Sequence, residues 1–125
     1  RKLVLYFYPK AGTQGCTLEA HDFNQLKDAF DAADTRVIGV SADPAKALAR
    51  FRAKQGLGFT LLGDESHAVL EDYGVWTEKQ MYGRKFMGIE RTTLLIDRDG
   101  RIARIWPKVK VAGHAEEVLE AAKGL

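Results

Sequence analysis

The chain has a single cysteine, and its position favours a reactive thiol. Cys16 follows a turn rich in proline and glycine, which runs Tyr8-Pro9-Lys10-Ala11-Gly12-Thr13-Gln14-Gly15, and a helical pattern begins near Thr17. Backbone N–H groups in the first turn of a helix have no intrahelical partner, and the helix dipole favours negative charge there. A thiolate is stabilised at such a point and is a nucleophile at neutral pH. A lone cysteine is also commonly a small buried hydrophobe, so position alone leaves both interpretations open.

The elements that would position this cysteine alternate along the chain. Short runs rich in apolar and β-branched residues predict strands, and apolar residues at three- and four-residue spacing predict helices. The predicted strands cover residues 3–8, 35–41, 59–62, 92–97 and 101–106, and the predicted helices cover 14–32, 44–55, 66–73 and 114–123. Residues 77–90 lack clear periodicity and predict a loop with some extended structure.

Local signals support several of these boundaries. Asp43 and Pro44 are typical of a helix N-cap and first helical position, and Gly56 is typical of a helix end. Asp99-Gly100 between two strands predicts an antiparallel hairpin. The resulting order, β-α-β-α-β-α-β-β-α, predicts an α/β fold with a central mixed β-sheet flanked by helices on both faces.

Composition limits the classes of function. A chain of 125 residues with 46% hydrophobic and 29% charged residues suits one globular domain. The net charge of +2 includes no basic run, so we expect no nucleic-acid or membrane partner. No run approaches the roughly 20 apolar residues of a membrane span. One cysteine cannot form an internal disulfide, which fits a reducing compartment, and we expect a cytoplasmic protein.

The residues around Cys16 resemble those of a known family. The pattern Pro9-x-x-x-Thr13-x-x-Cys16 is similar to the peroxidatic motif of the peroxiredoxins, and the longer string from Tyr6 to Ala20 resembles the bacterioferritin-comigratory, or Q-type, subfamily. The resemblance continues to the far end of the chain and covers nearly all of it. The further matching stretches are Gly74-Val75-Trp76, Gly88-Ile89-Glu90-Arg91-Thr92-Thr93-Leu94-Leu95-Ile96-Asp97 and Gly100-Arg101-Ile102.

The resemblance implies a fold and a domain organisation. It implies a thioredoxin-like fold and one peroxiredoxin domain over residues 1–125. Family members usually have an N-terminal hairpin ahead of the first strand predicted here. Either this protein lacks the hairpin or it precedes Arg1 in the natural chain. We favour the second expectation, because a buried strand is a poor place for a chain to begin.

The resemblance also implies an activity. Cys16 would attack one oxygen of hydrogen peroxide or an organic hydroperoxide, which makes the chain a thiol-dependent peroxidase and an antioxidant enzyme of cell redox homeostasis. Thr13 would donate to the thiolate and accept from the peroxide. Arg91 would direct its rigid fork of donors to the sulfur and the peroxide, while Pro9 would shield the pocket.

Two further residues are weaker candidates. Gly15 would supply part of a backbone donor set beside Cys16. Glu19, one helical turn beyond Cys16, would either hold Arg91 in place or complement the helix dipole as an ordinary first-turn carboxylate. Tyr8 and Trp76 could wall the pocket, although aromatic residues near buried strands are usually part of the core.

The chain departs from Q-type relatives in having no resolving cysteine. Relatives often place one five residues after the first, where this chain has His21, or on the next helix, in the stretch matching 51–53. The sulfenic acid on Cys16 would therefore need an external thiol, from thioredoxin, glutaredoxin or glutathione, and would be open to overoxidation. We expect a monomer with no cofactor and no metal, since Cys16 and His21 are a poor pair for one ion.

Two other functions compete with this one. A thiol–disulfide oxidoreductase on the same fold is disfavoured because no Cys-x-x-Cys is present. A non-enzymatic thioredoxin-like module that binds partners or holds unfolded clients is disfavoured because the motif around Cys16 and the distant Arg91 are more than packing requires.

Overall fold

The computed structural model describes residues 1–125 as seven strands and five helices. In chain order these are β1 Lys2–Phe7, α1 Gln14–Gln25, α2 Lys27–Ala32, β2 Thr35–Ser41, α3 Ala45–Gln55, β3 Thr60–Gly63, α4 Ala68–Asp72, β4 Trp76–Met81, β5 Arg84–Ile89, β6 Thr92–Ile96, β7 Ile102–Trp106 and α5 His114–Lys123. No helix is both long and apolar enough to cross a membrane.

Five of the strands form one mixed sheet in the order β3-β2-β1-β6-β7. β1, β2 and β3 are parallel, whereas β6 runs antiparallel to β1 and β7 antiparallel to β6. The mixed sheet flanked by helices confirms the predicted α/β fold, and the antiparallel β6–β7 pair confirms the hairpin predicted at Asp99-Gly100. β1 occupies the centre of the sheet, so the cysteine loop follows its most protected strand.

The side chains of β1 alternate between two hydrophobic clusters. Val4 and Tyr6 belong to the larger cluster, to which α1, α2, α3 and α5 contribute. Leu5 and Phe7 belong to the smaller one, to which α4 and β5 contribute. A strand covered on both faces is nearly all apolar, which explains its continuous hydrophobic run. This packing fixes the end of β1, where the loop to Cys16 begins.

The helix predicted over 14–32 is wrong in one respect, because the chain breaks at Leu26 into α1 and α2. The contacts at the break are long-range. The Asn24 side chain accepts from Gly58 N–H at 2.8 Å and donates to the Gly56 carbonyl at 3.3 Å. These contacts dock the end of α1 on the loop after α3. Sequence periodicity could not indicate the break, because its cause lies more than thirty residues away.

Residues 77–90, predicted to be a loop with some extended structure, are more regular than expected, because most of them form the antiparallel hairpin β4–β5. Its turn is Tyr82-Gly83, and both residues have positive φ, 53° and 76°. Both strands are largely solvent-exposed, so no alternation of buried and exposed residues marks them. This hairpin forms a separate two-stranded sheet.

Smaller differences occur at the other helices. α3 starts at Ala45 with Pro44 at the N-cap, one residue later than predicted, and it ends at Gly56 in the left-handed conformation, as predicted. In the helix predicted over 66–73, the spacing predicts that Val69, Leu70 and Tyr73 face inward. Leu70 is fully buried, as predicted, whereas Val69 and Tyr73 are each 42% exposed.

Candidate active site

Cys16 lies in the first turn of α1, directly above the end of the central strand. It is the third residue of the helix and only 2% exposed. The loop that carries it leaves β1 after Phe7, and Tyr8 N–H still donates to the Val40 carbonyl of β2 at 3.0 Å. The position at the helix start agrees with the sequence prediction. Burial by itself would also suit a structural cysteine, so the neighbours of the thiol are decisive.

Arg91 makes the one side-chain hydrogen bond to the thiol. Its Nη2 donates to Cys16 Sγ at 3.2 Å. The sheet register explains the proximity: Thr92, the first residue of β6, pairs with Phe7, the last residue of β1. Arg91 therefore lies at the same end of β1 as the cysteine loop. A guanidinium keeps its charge at any physiological pH, so it stabilises negative charge on the sulfur.

Glu19 holds the other side of the guanidinium. Arg91 Nη1 donates to Glu19 Oε1, and the two form a salt bridge. Glu19 is 1% exposed, and its second oxygen, Oε2, is buried without a hydrogen-bond partner. Burial raises the pKa of Glu19 to about 7, although the positive charge of Arg91 acts in the opposite direction. Of the two alternatives left open for Glu19, the structure shows the contact with Arg91.

Gly15 leaves room for this guanidinium. A Cβ atom at position 15 would lie 3.4 Å from Arg91 Nη2, at the edge of van der Waals contact. A branched side chain at this position would push the donor away from the sulfur. The sequence prediction had assigned Gly15 a backbone role only.

Thr13 occupies the N-cap position of α1, but its hydroxyl does not cap the helix. The hydroxyl donates to the Lys10 carbonyl at 2.8 Å, and no hydrogen bond joins it to Cys16. Its proton is thus engaged, while its lone pairs remain available to accept from a ligand. The structure offers no support for donation to the thiolate, and acceptance from a peroxide stays a prediction.

Pro9 and Trp76 line a pocket of about 370 Å³ between the cysteine loop and the β4–β5 hairpin. Trp76 stacks on His67 with ring centroids 3.8 Å apart. Tyr8 does not line the pocket: it is 1% exposed and belongs to the larger core cluster. Trp76 therefore walls this pocket, whereas Tyr8 is a core residue.

Asp43 is a residue whose role sequence reasoning missed. Its Oδ2 accepts from Ala11 N–H and from Ser41 Oγ, each at 2.8 Å. A Cβ at Gly63 would lie 2.1 Å from the Asp43 carbonyl, so only glycine lets the end of β3 pack against this segment. The carboxylate thereby ties the cysteine loop to the end of β2. The Asp-Pro helix signal concealed this contact.

No histidine forms a hydrogen bond with the thiol, whose side-chain hydrogen bond comes from Arg91. His21 interacts with the Gln55 side chain at 2.7 Å. His114 is buried and paired with Thr93 at 2.8 Å, and burial lowers its pKa. No group of three or more His, Cys, Asp or Glu side chains comes together in a way that could hold a metal ion. The polar contacts of the site are therefore those around Cys16, Arg91 and Glu19.

Comparison with known proteins gives a consistent result. The AhpC/TSA family model matches residues 1–105. The chain is 49% identical over 121 residues to peroxiredoxin Bcp of Xanthomonas campestris, covering 97% of this chain and 76% of that protein. It is 45% identical over 123 residues to peroxiredoxin Bcp of Bacillus subtilis, covering 98% and 78%. Among solved structures, the chain is similar to the bacterioferritin comigratory protein of X. campestris, which is described for its alkyl peroxide reduction activity. The two superpose with a TM-score of 0.94 at 47% identity, and the match covers 99% of this chain and 79% of that one.

Proposed function

This chain belongs to the AhpC/TSA family, and from that premise we propose that Cys16 is its peroxidatic cysteine and that Arg91 activates it. The chain is a peroxiredoxin of the bacterioferritin-comigratory, Q-type group, with a thioredoxin-like fold. Its reaction is the thiol-dependent reduction of peroxides. The assignment of individual residues to steps of that reaction is our proposal.

The reaction transfers one oxygen to sulfur. The Cys16 thiolate attacks the nearer oxygen of the peroxide, the O–O bond breaks, and the electron pair leaves on the distal oxygen as hydroxide or alkoxide. Sulfur is oxidised to a sulfenic acid, and the leaving group takes a proton to give water or an alcohol. A lowered thiol pKa cannot by itself explain a fast attack, because the nucleophilicity of a thiolate falls as the pKa of its thiol falls. Preorganised donors at the oxygens that gain charge are needed as well.

The observation that carries the proposal is the double contact of Arg91. One nitrogen of the guanidinium lies 3.2 Å from Cys16 Sγ, while the other is held by the buried Glu19. Because the guanidinium is planar and rigid, fixing one nitrogen on Glu19 also fixes the other nitrogen beside the sulfur, and no reorganisation is needed during the attack. We propose that this fork stabilises the thiolate before the attack and the developing negative charge during it.

Two other residues position the peroxide in our proposal. The Thr13 hydroxyl, with its proton engaged by the Lys10 carbonyl, accepts from the peroxide O–H. Pro9 keeps water from the thiol, and backbone N–H groups at Gly15 and Cys16 complete the donors. Because the similar X. campestris structure is described for alkyl peroxide reduction, we propose organic hydroperoxides as substrates beside hydrogen peroxide.

Turnover needs a thiol from outside the chain, since Cys16 is its only cysteine. We propose thioredoxin, glutaredoxin or glutathione as the source, a reducing cytoplasmic compartment and a monomeric state.

The test is peroxide consumption in the presence of a thiol by the wild type, Cys16→Ser and Arg91→Met. We expect no activity from Cys16→Ser and a loss of about 100-fold or more from Arg91→Met, typical of the loss of one preorganised donor. Arg91→Met also leaves the buried Glu19 carboxyl without its hydrogen-bond donor. Arg91→Met combined with Glu19→Gln therefore serves as the control. The double variant should regain thermal stability and remain inactive. A folded Arg91→Met variant with wild-type activity would show that Arg91 does not activate Cys16, and a folded wild type without activity would support a non-enzymatic binding module.

A further inference from the structure

The burial of Cys16 restricts which thiols can reduce its sulfenic acid. The residue is 2% exposed, and no second cysteine can reach it within the chain. A cysteine on the surface of another protein could reach the sulfur only after local unfolding of α1. A small thiol needs no such opening, provided that a groove leads toward the site. The reductant must therefore be small, or the helix must open.

A groove of this kind lies beside the cysteine loop. The pocket of about 370 Å³ runs between Pro9-Lys10 and the β4–β5 hairpin. Phe86 and Met87 give it an apolar wall, and both are partly exposed, at 43% and 50%. Lys79 lies on the same hairpin, directly across from Phe86.

The lining of this groove contains two lysines and one carboxylate, so its net charge is positive. Lys10 and Lys79 both line it, and neither forms a salt bridge. The single acidic side chain in the lining, Asp43, already accepts from Ala11 and Ser41 through Oδ2. Lys79 is half-buried and packs its aliphatic stem against Gly88, where a Cβ would lie 3.2 Å from Lys79 Cδ.

Lys79 is also electrostatically close to the reactive centre. Burial lowers the pKa of Lys79, the charge of Arg91 lowers it further, and the negative charges of Cys16 and Glu90 oppose both. A cation without a partner, repelled by a second cation, gains when an anion binds beside it. The groove therefore suits an anionic ligand that must also approach Cys16.

We propose that this groove binds a small thiol that carries a carboxylate, and that Lys79, with Lys10, holds the carboxylate while the sulfur reaches Cys16. The inference rests on the proposed function, because it needs the sulfenic acid to form. The thiol attacks the Cys16 sulfur, hydroxide leaves and is protonated to water, and a mixed disulfide forms. A second thiol then attacks the mixed disulfide, which releases the Cys16 thiol and a small-molecule disulfide.

The test compares three small thiols of different charge: mercaptopropionate, mercaptoethanol and cysteamine, which are anionic, neutral and cationic. The sulfenic acid is first formed with one equivalent of hydrogen peroxide and its amount is measured by dimedone trapping. The rate of mixed-disulfide formation is then measured for the wild type and Lys79→Met. For each thiol, the rate of the variant is divided by the rate of the wild type, so that the intrinsic reactivity of the thiol cancels.

At low salt, we expect Lys79→Met to form the mixed disulfide with mercaptopropionate about fivefold more slowly than the wild type. The rate with mercaptoethanol should be nearly unchanged, and the rate with cysteamine should rise. Lys79→Arg should restore the wild-type preference. Lys85→Met is the matched control, because Lys85 pairs with Gln80 on the opposite face of the same hairpin, and it should change none of the ratios. Equal ratios for all three thiols in Lys79→Met would overturn the groove assignment. Failure of the wild type to form a sulfenic acid would overturn the proposed function, and this inference with it.

Discussion

At the scale of single residues, the site consists of a thiol and a buried acid that both form a hydrogen bond with the same cation. Arg91 bridges Cys16 and Glu19, and each pair is separated by more than seventy residues in sequence. The family resemblance predicted the three residue types and left the role of Glu19 open. It could not indicate that Glu19 is almost fully buried, with one oxygen lacking a partner. Such burial depends on how α1 packs against the rest of the fold, which no local pattern encodes.

The raised pKa of Glu19 predicts a specific pH dependence of stability. The folded-state value of about 7 lies above the ordinary value of 4.5. The stability due to this group is therefore complete below about pH 4.5 and is lost as pH rises through 7. The loss should be on the order of 3 kcal/mol or less. Chemical denaturation from pH 4.5 to 8 would measure it.

Glu19→Gln is the control for this prediction, because the amide keeps the shape and the acceptor for Arg91 but cannot ionise. The free energy of unfolding of the wild type should fall relative to that of Glu19→Gln as pH rises across this range. Parallel profiles for the two proteins would show that Glu19 keeps its ordinary pKa.

At the scale of elements, the cysteine loop is held between the central strand β1 and helix α1. β1 supplies its start, α1 its end, and Asp43 ties its middle to the end of β2. The strands and most helices could be predicted from the sequence, because β1, β2 and α5 carry clear apolar patterns. The break at Leu26 and the β4–β5 hairpin could not, since the contacts at the first are with a distant loop and the second is largely solvent-exposed. Asp43 was missed because its helix-capping signal was sufficient to explain it.

We predict that Asp43→Ala slows the reaction with peroxide about tenfold and lowers the free energy of unfolding by about 1–2 kcal/mol. The substitution removes the acceptor of Ala11 N–H and so loosens the loop before Cys16. Asp64→Ala is a matched control, because Asp64 also accepts from a backbone N–H, that of Leu70 at 2.9 Å, but on α4. Asp64→Ala should lower the free energy of unfolding by a similar amount and leave the rate of reaction with peroxide unchanged. Equal rates for both variants would show that the loop needs no such tie.

At the scale of the whole molecule, the central position of β1 places the reactive end of the fold between α1, β6 and the β4–β5 hairpin. The thiol is protected on all these sides, and the chain has no second cysteine. Protection from bulk solvent favours the reaction with peroxide. The same arrangement leaves the sulfenic acid without an internal partner.

A molecule of this kind should overoxidise when peroxide exceeds the available thiol. In the absence of thiol, excess hydrogen peroxide should convert Cys16 to sulfinic acid, since no disulfide can form within the chain. An equal excess of peroxide added together with a small thiol should give the mixed disulfide or the regenerated thiol instead. Intact mass spectrometry of the two samples distinguishes these products. A sulfenic acid that persists unchanged in excess peroxide would contradict this expectation.

The most direct test of the central claim is the intact mass of the fully reduced protein, seconds after one equivalent of hydrogen peroxide. If Cys16 is a peroxidatic cysteine activated by Arg91, the wild type gains one oxygen atom at once. Cys16→Ser should gain none, and Arg91→Met should gain it at least about 100-fold more slowly. A folded wild-type protein whose thiol survives the peroxide unmodified would contradict the account.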